Sequence, residues 1–118
     1  MPNDLKERTK KFALDIFRLC SGLPQKQEFR IIGNQLMRCG SSVGANYRAA
    51  CRAKSKADFI NKLSIVEEEA DESGFWLELL ESLGNGNSEL LRLRNETDQR
   101  TAIMVQSKKT ARLSERRY

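Results

Sequence analysis

At 118 residues with 39% hydrophobic side chains, the chain holds enough apolar material for one compact core and one domain. It has no histidine, which excludes a serine–histidine nucleophile and the commonest zinc sites. The formal net charge of +5 is sorted along the chain: five cations against three acids in residues 1–24, six against one in 25–54, two against eight in 55–86, and eight against four in 87–118.

The opening "MPNDLKERTKKF" is charged where a secretion signal needs an apolar run, and no stretch approaches the length that crosses a bilayer. A cytoplasmic protein without membrane contact is expected. A first helix over about residues 3–20 places Leu5, Phe12, Ala13, Ile16, Leu19 and Cys20 on one stripe and stops at Gly22 and Pro24. The second, about 25–53, repeats apolar residues every three or four positions: Phe29, Ile32, Leu36, Cys39, Val43, Tyr47 and Ala50. Gly40-Ser41-Ser42-Val43-Gly44 matches the G-x-S-x-G pattern of a nucleophile elbow. Its place inside a helical repeat, in a chain too short for the required sheet, removes that reading.

No glycine or proline marks the next turn, so the reversal near 54–57 rests on Ser55 and Asp58 acting as a capping box for a third helix over about 56–83. That helix carries Phe59, Leu63, Val66, Ala70, Ser73, Leu77 and Leu80 toward the core. Glu68, Asp71 and Glu72 point outward in its first half, and beyond them it is apolar almost all round. Phe75, Trp76, Leu79 and Leu83 then have nowhere to go in a single bundle, and a subunit interface on that face is the economical expectation. The run Glu67–Glu72 suggests a carboxylate metal site, but the outward acids and the missing histidine argue against any metal or cofactor. "SLGNGN" reads as a helix end and turn, and a fourth helix over about 88–109 carries Leu90, Leu93, Thr97, Thr101 and Met104. Residues 111–118 read as a basic, disordered tail. The three cysteines, lacking C-x-x-C spacing, read as small buried hydrophobes.

Four amphipathic helices with short connections make an all-α, up-down-up-down antiparallel four-helix bundle. Turning by 100° per residue puts Arg30, Arg38, Arg48 and Arg52 on the face of the second helix away from the core, a basic stripe about 33 Å long. Phosphates of RNA or DNA are one partner for it, with Lys54, Lys108, Lys109 and Arg112 contributing. A solvated face, or pairing with carboxylates of another helix, is the other reading. Acidic and basic faces of neighbouring copies would also suit a heterologous contact that closes into a ring-shaped homo-oligomer.

The segment "QLMRCGSSVGANYRAACRAKSKADFINKLSIVEEEADESGFWLELLESL" carries a Gln-Leu-x-Arg opening, a Ser-Val-x-x-Asn core and a Phe-x-x-x-Leu start to the third helix. In these features Gln35, Leu36, Arg38, Ser42, Val43, Asn46, Phe59 and Leu63 resemble the four-helix bundle proteins also called 23S rRNA-intervening-sequence proteins. Tyr47-Arg48-Ala49-Ala50 stands where the commonest version of the family has Ile-Ala-Glu-Gly after the asparagine. The resemblance implies a bacterial bundle assembling into a ring, often a pentamer, without known enzymatic activity. A related protein is the accessory protein of diversity-generating retroelements, whose basic ring engages a reverse transcriptase and nucleic acid. The expected function is therefore a non-enzymatic, ring-forming nucleic-acid-binding bundle, with an oligomeric protein-interaction scaffold as the alternative.

Overall fold

Proline fits a helix only in its first turn, and α1 (Pro2–Ser21) begins on one of the chain's two. The other, Pro24, lies in the turn that leads to α2 (Gln27–Ala50). Then follow α3 (Lys56–Leu80), a wide π-helical turn Glu81–Asn85, and α4 (Ser88–Arg116). These elements come from a computed structural model that describes residues 2–116, with no strand among the described residues. Consecutive helices pack against each other and α4 closes back on α1, giving an antiparallel bundle of 54 × 21 × 19 Å in which α2 and α4 hold diagonal corners.

The ends differ from expectation for local reasons. α2 stops at Ala50, three residues early, because Arg52 and Ala53 donate their N–H groups to Ala49 and Ala50 in a tight turn that starts the reversal. The Ser55 Oγ accepts the Asp58 N–H at 3.1 Å, and the Asp58 carboxylate accepts the Lys54 N–H at 3.3 Å, so both cap residues work as a box. At the far end α3 passes after Leu80 into the π-helical turn, and Gly84 inside it takes φ 81°, a left-handed backbone that glycine alone enters freely and that breaks the helical run just past the 83 expected. α4 continues through Arg116 instead of giving way to a frayed tail at 111; "KKTARLSER" has no helix breaker, and its cations favour a helix C-terminus. Residues 117–118 lie outside the described residues.

The apolar stripes meet in one core: Phe12 and Ile16 from α1, Ile32, Leu36, Val43 and Tyr47 from α2, Leu63, Val66, Leu77 and Leu80 from α3, and Leu90, Leu93 and Met104 from α4. The glycines of the false elbow have a packing role. A Cβ at Gly40 would sit 3.1 Å from two carbons of Ile16, and one at Gly44 would sit 3.2 Å from the Thr9 carbonyl oxygen, so α1 crosses α2 with almost no clearance. The cysteines are not uniformly buried. Cys39 is buried, Cys20 half-buried and Cys51 exposed, because the turn after Ala50 lifts Cys51 off the core face; all three are free.

Candidate nucleic-acid interface

The charge sorting seen along the chain is largely consumed between helices. On α2, Arg38 forms an ion pair with Glu69 at 3.2 Å and another with Glu72 of α3, while its Nε donates to Gln35 at 3.1 Å. Glu72 also accepts from the Trp76 indole N–H at 3.0 Å; that bond and Arg38 hold its carboxyl below the ordinary range despite partial burial. On the other flank of α3, α4 supplies Arg94 to Glu78 at 3.3 Å and to Glu81, and Lys108 to Glu67 at 2.5 Å. Most acids of the 67–72 run thus diverge toward two neighbouring helices, leaving only Glu68 and Asp71 exposed. That is a cross-helix ladder, and it takes Arg38 and Lys108 out of the expected phosphate-binding set.

Six of the cations that the ladder leaves over gather at one end. Arg48, Arg52 and Lys54 are exposed and border two adjoining grooves that share Ala45 and Arg48. Residues that the sequence did not single out join them there, Lys6 and Lys10 from α1 and Lys62 from α3. Among the described residues none of these six cations forms an ion pair. The acids of the two grooves are Glu7 and Asp58, and the Asp58 carboxylate is already engaged by the Lys54 N–H. Between the cations the floor is made of small side chains, Ser41, Gly44, Ala45 and Ala49. The helical spacing that put Arg48 outward was legible; Arg52 is placed by the turn after Ala50, and the convergence of α1 and α3 on both depends on the register of three helices.

The other expected residues fall elsewhere. Arg30 is exposed, but it lies about 27 Å along α2 from Arg48 and beyond the paired Arg38. Lys109 and Arg112 are exposed on α4, diagonal to α2, so they belong to a different face. Of the expected interface residues, Phe75 and Leu83 are 52% and 50% exposed, whereas Trp76 and Leu79 pack partly against the chain's own core. The Phe75 and Trp76 rings meet edge to face with centroids 5.0 Å apart. Antiparallel pairing of α2 with α3, fixed by Arg38 on Glu69, carries exposed Ile31 to the same end as Leu79 and Leu83. The Asn46 amide donates to the Ser42 hydroxyl at 2.8 Å and its carbonyl at 3.0 Å, so that pair braces one turn of α2.

Burial pushes the Cys20 thiol up to about 11 and also raises Cys39, which leaves both as poor nucleophiles at neutral pH. No helix among the described residues is long and apolar enough to cross a membrane.

Comparison with known proteins adds two findings. A family model described as 23S rRNA-intervening sequence protein matches residues 2–106. A solved structure from Bacteroides thetaiotaomicron, described as a protein of unknown function from the S23 ribosomal protein family, is similar at 35% identity over 92% of this chain and 97% of its own, with a TM-score of 0.83. A search of curated proteins finds no match.

Proposed function

Since the chain belongs to the 23S rRNA-intervening sequence protein family, we propose that it is a non-enzymatic bundle that binds the phosphate backbone of RNA or DNA and assembles into a ring-shaped homo-oligomer. One observation carries the binding half: six cations without an ion pair among the described residues border two adjoining grooves whose lining between them is small, while Arg38, Arg94 and Lys108 are spent on the acids of α3 and the turn after it. Cations left without carboxylate partners in a folded protein are available to phosphates, and small floor residues let a backbone approach. The exposed face of Ile31, Phe75 and Leu83 supports the assembly half, and equally a protein scaffold that docks another polypeptide, such as a reverse transcriptase.

Binding of a fluorescent structured RNA, measured at about 50 and 200 mM salt, tests the location of the site. The double variant Arg48→Glu, Arg52→Glu is expected to lose at least tenfold in affinity at unchanged oligomer mass, and Arg38→Gln to lose little. Equal binding by wild type and the double variant would remove these grooves as the site.

A further inference from the structure

One stripe of α4 outruns the helix that covers it. Arg92, Glu96 and Gln99 meet α1, the first through Asp15 at 2.9 Å and the other two through Arg8 at 3.8 and 3.3 Å. The stripe runs on through Ile103, Gln106, Ser107, Thr110 and Ala111, which recur at the three- and four-residue spacing of a helix-packing face. Because α1 is antiparallel to α4 and has Arg8 beside Glu96 and Gln99, its described part runs out near Ile103. α2 shows the same break. Gly33, Gly40 and Gly44 face α1, and Cys51, two turns past Gly44, continues their line as an exposed side chain.

Between these two lines lies an open, shallow groove bordered by Ala50, Cys51, Ala53, Phe59, Ile103 and Ala111, and by none of the described residues of α1. Phe59 and Ile103 are half-buried against the core, so the groove is an uncovered edge of the core itself. Its position in line with α1 suits a helix, since the faces of α2 and α4 that receive α1 extend along its two sides. From Ile103 to Ala111 it runs about 12 Å, or two helical turns. Charge selects among helices. Lys54 and Lys56, both exposed, are the charged residues of its described lining, and no acid joins them there. The α1 start of a second copy, "LKERTKK", would set cations against cations. A nucleic-acid strand would meet the lysines and leave the apolar lining uncovered.

We infer that this groove docks an amphipathic helix of another protein, with aliphatic side chains at three- and four-residue spacing on Phe59, Ile103 and Ala111 and carboxylates toward Lys54 and Lys56. Cys51 makes the groove directly observable. It is exposed in the lining, whereas Cys39 is buried and Cys20 half-buried, so a thiol reagent reacts at Cys51 first. The test follows that labelling on the full chain with a helical peptide of about 15 residues, leucines on one stripe and glutamates beside it, and with the same peptide carrying lysines for glutamates. The glutamate peptide is expected to slow labelling about tenfold at saturation, and the lysine peptide to leave it unchanged. Lys54→Glu combined with Lys56→Glu should reverse that order. Gln106→Glu, an exposed position on the stripe, should weaken the glutamate peptide about tenfold by like-charge repulsion and by setting a carboxylate against its leucines. Equal protection by both peptides, or by neither, overturns the inference, as does protection by a structured RNA and not by the peptide. Slow labelling without peptide at every protein concentration would mean that the chain's own end covers the groove. Labelling that slows as the chain is concentrated would put a second copy there, and either result overturns the inference.

Discussion

Single buried polar residues do more to fix this bundle than its sequence suggests. Asp15 is buried where α1 meets α4, hydrogen-bonded to Arg92 at 2.9 Å and to Lys11 at 2.8 Å, with Arg18 at 3.8 Å. Burial alone would raise its carboxyl, but the hydrogen bonds and charges of Lys11 and Arg92 outweigh burial and hold it below its ordinary 3.8. A carboxylate depressed in the folded state contributes stability that is fully present above about pH 4 and is lost as the pH falls through its folded value. Thermal unfolding from about pH 5 to 2 should therefore show Asp15→Asn less stable than wild type near neutrality, with a shallower loss in acid. Parallel acid limbs in the two proteins would show that Asp15 does not couple folding to protons. Arg100 is a second such residue: its side chain is 0% exposed, with Nε and Nη2 on Glu96 at 3.1 and 2.6 Å and no hydrogen-bond partner for Nη1 among the described residues. Neither residue could be found by hydropathy, which places every charge outside.

At the scale of elements, the pairing of helices rests on two devices of opposite visibility. The Ser55 and Asp58 box was legible because its residues are close in sequence and of the types that cap helices. The close crossing of α1 over α2 was not, since glycine inside a helical repeat reads as a weakness until its neighbour is known. Gly40→Ala gains about 1 kcal/mol of helix propensity but drives a methyl against three carbons of the fully buried Ile16, an overpacking that costs about 1–3 kcal/mol. The expected outcome is a lower melting temperature for Gly40→Ala; a higher one would show that α1 has room to move away. The ladder from Arg38 to Glu69 and Glu72 and from Lys108 to Glu67 belongs to this scale as well. Carboxylate pairing with another helix was one of the two readings open for the basic stripe, and it holds for Arg38 and not for Arg48 or Arg52. The difference is position: Arg38 faces α3 where its acids are, whereas Arg48 and Arg52 reach the segment that offers Lys62 and an engaged Asp58.

For the whole molecule, the grouped cations and the exposed apolar side chains of α2 and α3 separate toward opposite ends, with Arg30 beside Ile31 the exception. The six cations lie toward the turn from α2 into α3, and Ile31, Phe75 and Leu83 lie toward the ends of α2 and α3 remote from that turn. Such a separation suits a ring whose subunits meet through one end and present charge at the other. Phe75→Glu combined with Leu83→Glu is expected to lower the mass measured by light scattering to that of one chain, with helical content unchanged, because both side chains are already half-exposed. An unchanged mass would move the subunit contact off this face. By itself the sequence determined the number of helices, most of their apolar core-facing residues and the outward direction of Arg30 and Arg48 on α2, because helical periodicity is a local property read from spacing alone. Only the tertiary structure decided which cations are spent and which are free, why the glycines of α2 are needed, and which basic residues of three helices share one end of the bundle. Those outcomes depend on register and on distances between residues far apart in the chain, and no local pattern carries either.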